Sequence, residues 1–189
     1  MSSPRIIAGK AKGTRLQPVP GDSTRPITDR VKEALFNIIS TDIQDACFLD
    51  LFGGTGSVGI EALSRGAREC VLLEINDKAI NTIKENLNRT KLADNARVIR
   101  TDALRYLSMP NTLGFEYIYI APPQYKGIWE KAVFLVDENI DILAEDGWLI
   151  VQIHPIEYLH LETKKLIEFD QRKYGSTLLV FYERILTEQ

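Results

Sequence analysis

Histidine and cysteine are scarce in this chain, with two of each among 189 residues. His154 and His160 have no cysteine or paired acid near them at ligand spacing, so no metal centre is expected. Cys47 and Cys70 precede or sit in expected strands and read as buried, reduced thiols. No apolar run reaches the length of a membrane span. The opening Met-Ser-Ser-Pro-Arg lacks the apolar core of a signal peptide, so a cytoplasmic location is expected. Internal repeats and low-complexity tracts are missing too. What remains is an ordinary globular composition, 44% hydrophobic and 26% charged, long enough for one domain with a full core and a small appendage.

The net charge of −3 hides a polarity. Residues 1–35 hold seven basic side chains (Arg5, Lys10, Lys12, Arg15, Arg25, Arg30 and Lys32) against Asp22, Asp29 and Glu33, a net +4 that leaves −7 for the rest. A basic arm on an acidic body points to an anionic partner, or simply to a solvated basic surface.

The stretch from Cys47 to Gly59 is the hinge of the sequence. An apolar strand reaches an acid at Asp50, turns through Gly53, Gly54 and Gly56, and enters a helix at about Ser57. A strand, a glycine turn and a helix begin a nucleotide-cradling βα unit. Gly54-x-Gly56-x-x-Gly59 matches a dinucleotide fingerprint literally, but the match is weak alone. Asp50 would repel a pyrophosphate and attract the ammonium or sulfonium of S-adenosylmethionine. The order Asp-Leu-Phe-Gly-Gly-Thr-Gly resembles the first motif of class I methyltransferases.

Other elements fall around this hinge. Arg5–Lys10 and Ala11–Leu16 read as a small basic hairpin, and Gln17–Pro26, with three prolines, as an irregular loop whose Arg25 can fork onto a phosphate. Thr28 and Asp29 open an amphipathic helix with Val31, Ala34, Leu35, Ile38 and Ile39 on its apolar face, and Arg30 exposed. Cys70–Glu74 is a second strand. Glu74 lies twenty residues beyond Gly54, where α/β nucleotide sites place the carboxylate that accepts ribose hydroxyls. That position suits NAD and S-adenosylmethionine equally. Asn76 or Asp77 opens the next helix, and Arg97–Arg100 is a third strand leading to Asp102, a good helix N-cap by itself. Tyr117–Ile120 runs into Ala121-Pro122-Pro123-Gln124-Tyr125, and successive prolines fix a stiff loop at the carboxyl edge of the sheet, where ligands of open α/β folds bind. A helix over Trp129–Val136, a loop over Asp141–Asp146, a strand over Gly147–Val151, a short helix or loop over Ile156–Thr163, and a hairpin of Leu166–Phe169 with Thr177–Tyr182 complete the chain.

In this order the parts resemble the RsmD-like methyltransferases, which methylate the exocyclic N2 of a guanine in small-subunit (16S) ribosomal RNA. The resemblance is carried by Arg5–Lys10 with Gly13 and Leu16, by Arg25-Pro26 and Thr28–Asn37, and by Leu49–Gly56, Gly59, Glu61–Ala67 and Glu74. It covers nearly the whole chain. It implies a Rossmann-like α/β sheet of seven strands, mostly parallel with an antiparallel C-terminal hairpin. It further implies an RNA-binding extension over residues 1–26, with Arg5, Lys10, Lys12, Arg15, Arg25 and Arg30 as contacts, and a methyltransferase domain over 27–189. The implied cofactor is S-adenosylmethionine, held by Asp50, Phe52, Gly53, Gly54, Thr55, Gly56, Glu74, Ile75, Asp102 and Ala103. In such enzymes the strand-end Asp accepts from the adenine amine and the next backbone N–H meets a ring nitrogen. The implied partner is ribosomal RNA or the small subunit, with no membrane and no metal; a monomer is the expectation.

One departure from the family pattern concerns the acceptor. Methyltransferases acting on exocyclic amines usually carry Asp or Asn, Pro-Pro, then Tyr or Phe. Here Ala121 has no side-chain acceptor, and Gln124 is interposed before Tyr125. The catalytic loop is then Ala121, Pro122, Pro123, Gln124 and Tyr125, with the Ala121 or Pro122 carbonyl and the Gln124 side chain as acceptors and Tyr125 stacking on the flipped base. Other readings stand beside this one: an enzyme that is slower or acts on a different nucleotide, a catalytically weakened or non-catalytic RNA-binding or ribosome-assembly factor that keeps the cofactor pocket, and an NAD-dependent oxidoreductase. The last is weakest, because Asp50 opposes a pyrophosphate and no hydride-transfer acid is placed to help.

Overall fold

The computed structural model describes residues 4–21, 27–110 and 113–185. The chain divides into two compact units, residues 1–102 and 103–189.

The first unit contains β1 (Cys47–Asp50), β2 (Glu69–Glu74) and β3 (Ala96–Arg100), with α1 (Asp29–Ile39), α2 (Ser57–Ser64) and α3 (Asp77–Thr90). Its strands are parallel, with Asp50 opposite Leu72 and Glu74 opposite Arg100. Right-handed crossovers through helices favour this arrangement, and the near-continuous apolar runs of β1 and β2 are what a strand covered on both faces requires. Thr28 caps α1 by accepting from the Val31 N–H, and Asn76 caps α3 by accepting from Lys78 and Ala79. The buried face of α1 is Val31, Lys32, Leu35, Phe36 and Ile39. It is turned from the expected stripe: Phe36 stacks on Phe48 of β1 at 6.2 Å between ring centroids, Ala34 and Ile38 are half-buried, and a lysine goes inside.

The N-terminal arm, the chain up to Gln17, differs from the expected two-stranded hairpin. A single antiparallel bridge joins Arg5 and Arg15, closed by Ile6 N–H to Thr14 O and Gly13 N–H to Ile6 O at 2.9 and 2.8 Å. The reason is competition for donors. The amides of Ile7 and Ala8 donate to the Glu61 carboxylate of α2 at 2.8 and 3.0 Å, and Ala11 N–H donates to Ser64 Oγ at 2.9 Å. The arm is therefore fastened to a helix rather than paired with itself.

The second unit holds β4 (Phe115–Ile120), β5 (Leu143–Ile153), β6 (Leu166–Tyr174) and β7 (Thr177–Arg184), with α4 (Ala103–Leu107) and α5 (Ile128–Glu138). Strand β5 is parallel to β4 and antiparallel to β7, which pairs antiparallel with β6 through the turn at Gly175. Residues 143–146, expected as loop, are strand: Phe115 pairs with Leu143, and the register then shifts to Tyr117 against Trp148. The irregularity lets buried Leu143 anchor the strand while the charged Glu145 and Asp146 stay exposed. Both C-terminal strands run longer than their apolar cores because exposed polar residues extend the ladder. Asp137, buried on α5, accepts from the backbone N–H groups of Lys164, Lys165 and Leu166 and so fixes the entry to β6. The strand order is β3-β2-β1 in the first unit and β4-β5-β7-β6 in the second, seven strands that make the mostly parallel α/β sheet expected from the sequence.

Candidate active site

Three strand ends of the first unit carry acids, as the sequence implied. Asp50 ends β1, Glu74 ends β2, and Asp102 follows β3. Their environments differ. The Asp50 carboxyl is 1% exposed and accepts from the Phe52 N–H at 3.2 Å. Burial pushes its pKa up to about 7, with the Glu74 charge adding and backbone donors at Phe52 and Gly59 opposing. Asp50 thus lies beneath the glycine turn, where it organises the backbone and biases the local field. Asp102 is exposed.

Glu74 is the nearest acid to the turn itself. Its carboxylate accepts three backbone N–H groups, from Gly54 at 2.9 Å, Ile75 at 2.8 Å and Asn76 at 2.9 Å. The Gly54 contact ties β2 to the turn that follows β1. Ile75 beside it is 63% exposed, an apolar surface next to an acid. The turn is held at Gly56 in the left-handed region, φ +79°, a conformation that a side chain disfavours. Gly59 presses against β2: a Cβ there would stand 2.7 Å from Cys70 Sγ and 2.8 Å from a Leu72 methyl. The structure therefore gathers Asp50, Phe52, Gly53, Gly54, Thr55, Gly56, Glu74 and Ile75 into one cradle at the carboxyl ends of β1 and β2. Ala103, the first residue of α4, is buried and belongs to the second unit.

The cradle suits S-adenosylmethionine better than a dinucleotide. A half-exposed carboxylate matches a ribose diol, an exposed isoleucine matches an adenine face, and a buried acid under the turn favours a cation over a pyrophosphate.

In the second unit, β4 ends at Ile120 and the acceptor loop follows. Ala121 and Pro122 are half-buried, while Pro123, Gln124 and Tyr125 are exposed. Tyr125 sits at φ 62° and is 66% exposed. Its N–H donates to Glu157 Oε1 at 2.6 Å, while Glu157 Oε2 accepts from His154 N–H at 3.2 Å. The ring of His154 lies 6.1 Å from that of Tyr125. Glu157 therefore holds the displaced aromatic in a strained backbone geometry that an unsupported loop would relax. Sequence reasoning missed Glu157, because the stretch after β5 carries no motif.

Arg5, Lys10, Lys12, Arg15 and Arg30 are all exposed. Arg5 pairs with Asp29 at 2.8 Å. Arg25 lies outside the described residues. Beneath the arm is a network with no counterpart in the sequence reading. Buried Lys32 donates to the Arg5 carbonyl at 2.6 Å and to Ser57 Oγ at 2.8 Å and lies 3.5 Å from Glu61. Glu61 also accepts from Arg65 at 2.8 Å. Burial lowers the Lys32 pKa, while Glu61 and Asp29 pull it back up. The available signal was a charge within an apolar stripe: Lys32 beside Val31 and Leu35, and Glu61 between Ile60 and Ala62.

A parallel-led sheet of seven strands, a glycine turn over a buried acid, and an acid closing the second strand define the α/β nucleotide-binding class to which the class I methyltransferases belong. Within that class, the chain belongs to the family described as Conserved hypothetical protein 95, whose model matches residues 4–183. It is 39% identical over 183 residues to YlbH of Bacillus subtilis (strain 168), covering 95% of this chain and 98% of that protein. It is 39% identical over 146 residues to the Ribosomal RNA small subunit methyltransferase D of Escherichia coli (strain K12), covering 77% and 69% of the two chains. Among solved structures, yhhF of Escherichia coli superposes with a TM-score of 0.84 at 33% identity, covering 95% of this chain and 97% of that one. The resemblance read from the sequence is thereby borne out.

Proposed function

We propose that this protein is an S-adenosylmethionine-dependent rRNA methyltransferase that acts on the exocyclic N2 of a guanine in small-subunit ribosomal RNA. The observation that carries the reading is the cradle of Asp50, the Gly53–Gly56 turn and Glu74 in a chain whose relative is named a small-subunit rRNA methyltransferase.

When bound, S-adenosylmethionine supplies an electrophilic methyl group on a sulfonium. The chain's residues do the rest. Glu74 accepts from the ribose hydroxyls, exchanging some of its backbone donors for them. Asp50 favours the cationic end through the field of its ionised form, and Asp102 with the Ala103 N–H reads the adenine. Tyr125 stacks on an extruded base, and the Ala121 or Pro122 carbonyl and the Gln124 side chain accept from its amine. Carbonyl acceptors that held the two N–H groups would leave the nitrogen lone pair free for a methyl group, so the loop's contribution would be mainly positioning. Transfer would exchange the methyl group's carbon–sulfur bond for a carbon–nitrogen bond and release one proton from the amine to water, so no residue of the loop need be a strong general base. The basic arm, with Arg5, Lys10, Lys12, Arg15, Arg25 and Arg30, meets phosphates of the ribosomal RNA. A monomer working in the cytoplasm, without a metal, completes the reading.

The test is to incubate the protein with radiolabelled S-adenosylmethionine and under-methylated small subunits, then digest the RNA to nucleosides. Label in N2-methylguanosine is expected. Cofactor binding with no label on RNA would favour the assembly-factor reading that Ala121 raises. Binding of NAD without S-adenosylmethionine would overturn both.

A further inference from the structure

The arm and the glycine turn share one buried side chain. Asn86, on α3, is fully buried. Its Oδ1 accepts from the Gln17 N–H at 2.7 Å, and its Nδ2 donates to the Gln17 carbonyl at 3.1 Å and to the Thr55 carbonyl at 2.9 Å. Both amide hydrogens are used, and the oxygen takes one donor. Gln17 is where the arm leaves the body, immediately after buried Leu16. Thr55 stands between Gly54 and Gly56, in the middle of the cradle. A second bridge runs alongside: Lys32 joins the Arg5 carbonyl to Ser57 Oγ, the first residue of α2 after the turn.

We infer that Asn86 is a positioning residue for the cofactor turn, and that the arm is part of the cofactor site rather than an RNA-binding appendage alone. A glycine turn has few internal constraints, so the direction of its N–H groups depends on what holds its carbonyls. The Thr55 carbonyl is held by Asn86, and the Asn86 amide plane is fixed by two bonds to the backbone of Gln17. Loosening the arm frees the amide, and the amide then no longer fixes the turn. Gly9 makes the arm's seat testable from its far end, because a Cβ there would fall 1.8 Å from the Ser64 carbonyl oxygen. A side chain at residue 9 must therefore lift the arm from α2 without touching the turn.

The inference rests on the cofactor reading above, and its test separates the two. S-adenosylhomocysteine affinity is measured by calorimetry on the full chain, at a temperature where every variant is folded. Three variants are compared with wild type. Asn86→Ala is expected to weaken binding about tenfold, the scale of a buried carbonyl left without its donor. Its KM for S-adenosylmethionine should rise alike, with kcat at saturating cofactor held within about twofold. Gly9→Ala is expected to weaken binding severalfold. Thr90→Val removes a buried hydroxyl on the same helix that bonds the Asn86 and Leu87 carbonyls, so it reports general loosening of α3; unchanged affinity is expected. Equal losses in Asn86→Ala and Thr90→Val would reduce Asn86 to a structural residue and overturn the inference. Wild-type affinity in Gly9→Ala would remove the arm from the cofactor site and overturn it as well. Failure of the wild-type protein to bind S-adenosylhomocysteine would instead sink the cofactor reading itself.

Discussion

The cofactor cradle and the acceptor loop are built on opposite principles. The cradle is fixed from below: Asp50, Glu61, Lys32 and Asn86 are all buried, and each has hydrogen-bonding or charged partners. The acceptor loop is fixed from outside. Its tyrosine is exposed, its first residue is an alanine, and a half-buried carboxylate, Glu157, supports it. The difference follows from what each must do. A cofactor with fixed chemistry rewards a preorganised site, since every ligand group can be met by a preset donor or acceptor. A nucleobase arriving from a folded RNA needs an open platform onto which it can swing. Rigidity belongs to the first task and access to the second.

Changes that damage the buried network should cost stability first. Glu61→Ala leaves Lys32 buried without its carboxylate and takes the acceptor from Ile7 and Ala8, so a loss of about 3–5 kcal/mol is expected. Urea unfolding measures it, and a loss under 1 kcal/mol would mean that the network is slack.

Asp50 sets a pH dependence of similar size. Its folded pKa, about 7, lies above its ordinary value of 3.8. The folded state therefore holds the proton more tightly between those two values, and its contribution to stability declines as pH rises through them. The full cost of ionisation above pH 7 is about 4 kcal/mol, set by burial first and by the Glu74 charge second. Asp50→Asn keeps an acceptor for the Phe52 N–H and should flatten the slope, stabilising the cofactor-free protein at pH 8 but not at pH 4. It should also weaken S-adenosylhomocysteine binding. Parallel melting curves for the two proteins across pH 4–8 would contradict this.

Damage to the platform should appear in RNA kinetics alone. Tyr125→Ala is expected to lower kcat/KM for RNA by about 10- to 100-fold, the value of one stacked base, with S-adenosylhomocysteine affinity unchanged. A matching loss of cofactor affinity would show that the two regions are not separable.

The cradle was legible in the sequence because its parts are local. A strand, three glycines and an acid twenty residues on lie within one βα unit and the next strand, so spacing alone locates them. The network beneath was not legible. Glu61 meets Ile7 across 54 positions, and Asn86 meets Gln17 across 69. Periodicity reports which face of a helix is buried, but not which distant backbone will satisfy a polar residue on that face. Glu157 was hidden similarly, at 32 positions from Tyr125. The start of β5 was missed for a different reason: acidic residues at 145 and 146 read as loop, while the pairing of Leu143 and Trp148 to β4 on either side of them carries the strand through.

Smaller effects sharpen the same contrast. Ala121→Asn restores a side-chain acceptor and should raise kcat severalfold, as one hydrogen bond of about 0.5–1.5 kcal/mol allows. No change would mean that backbone carbonyls already suffice. Lys12→Ala, on the exposed arm, should weaken RNA binding modestly and lower the salt slope by about 1, read from titrations at several ionic strengths.

The central claim is that a chain with alanine at position 121 still methylates a guanine amine from its own acceptor loop. Single-turnover transfer from labelled S-adenosylmethionine, with enzyme in excess over under-methylated small subunits, tests it most directly. N2-methylguanosine accumulating in the small-subunit RNA, and lost in Tyr125→Ala, is the predicted result. Full occupancy by S-adenosylmethionine with no label in RNA would contradict the account.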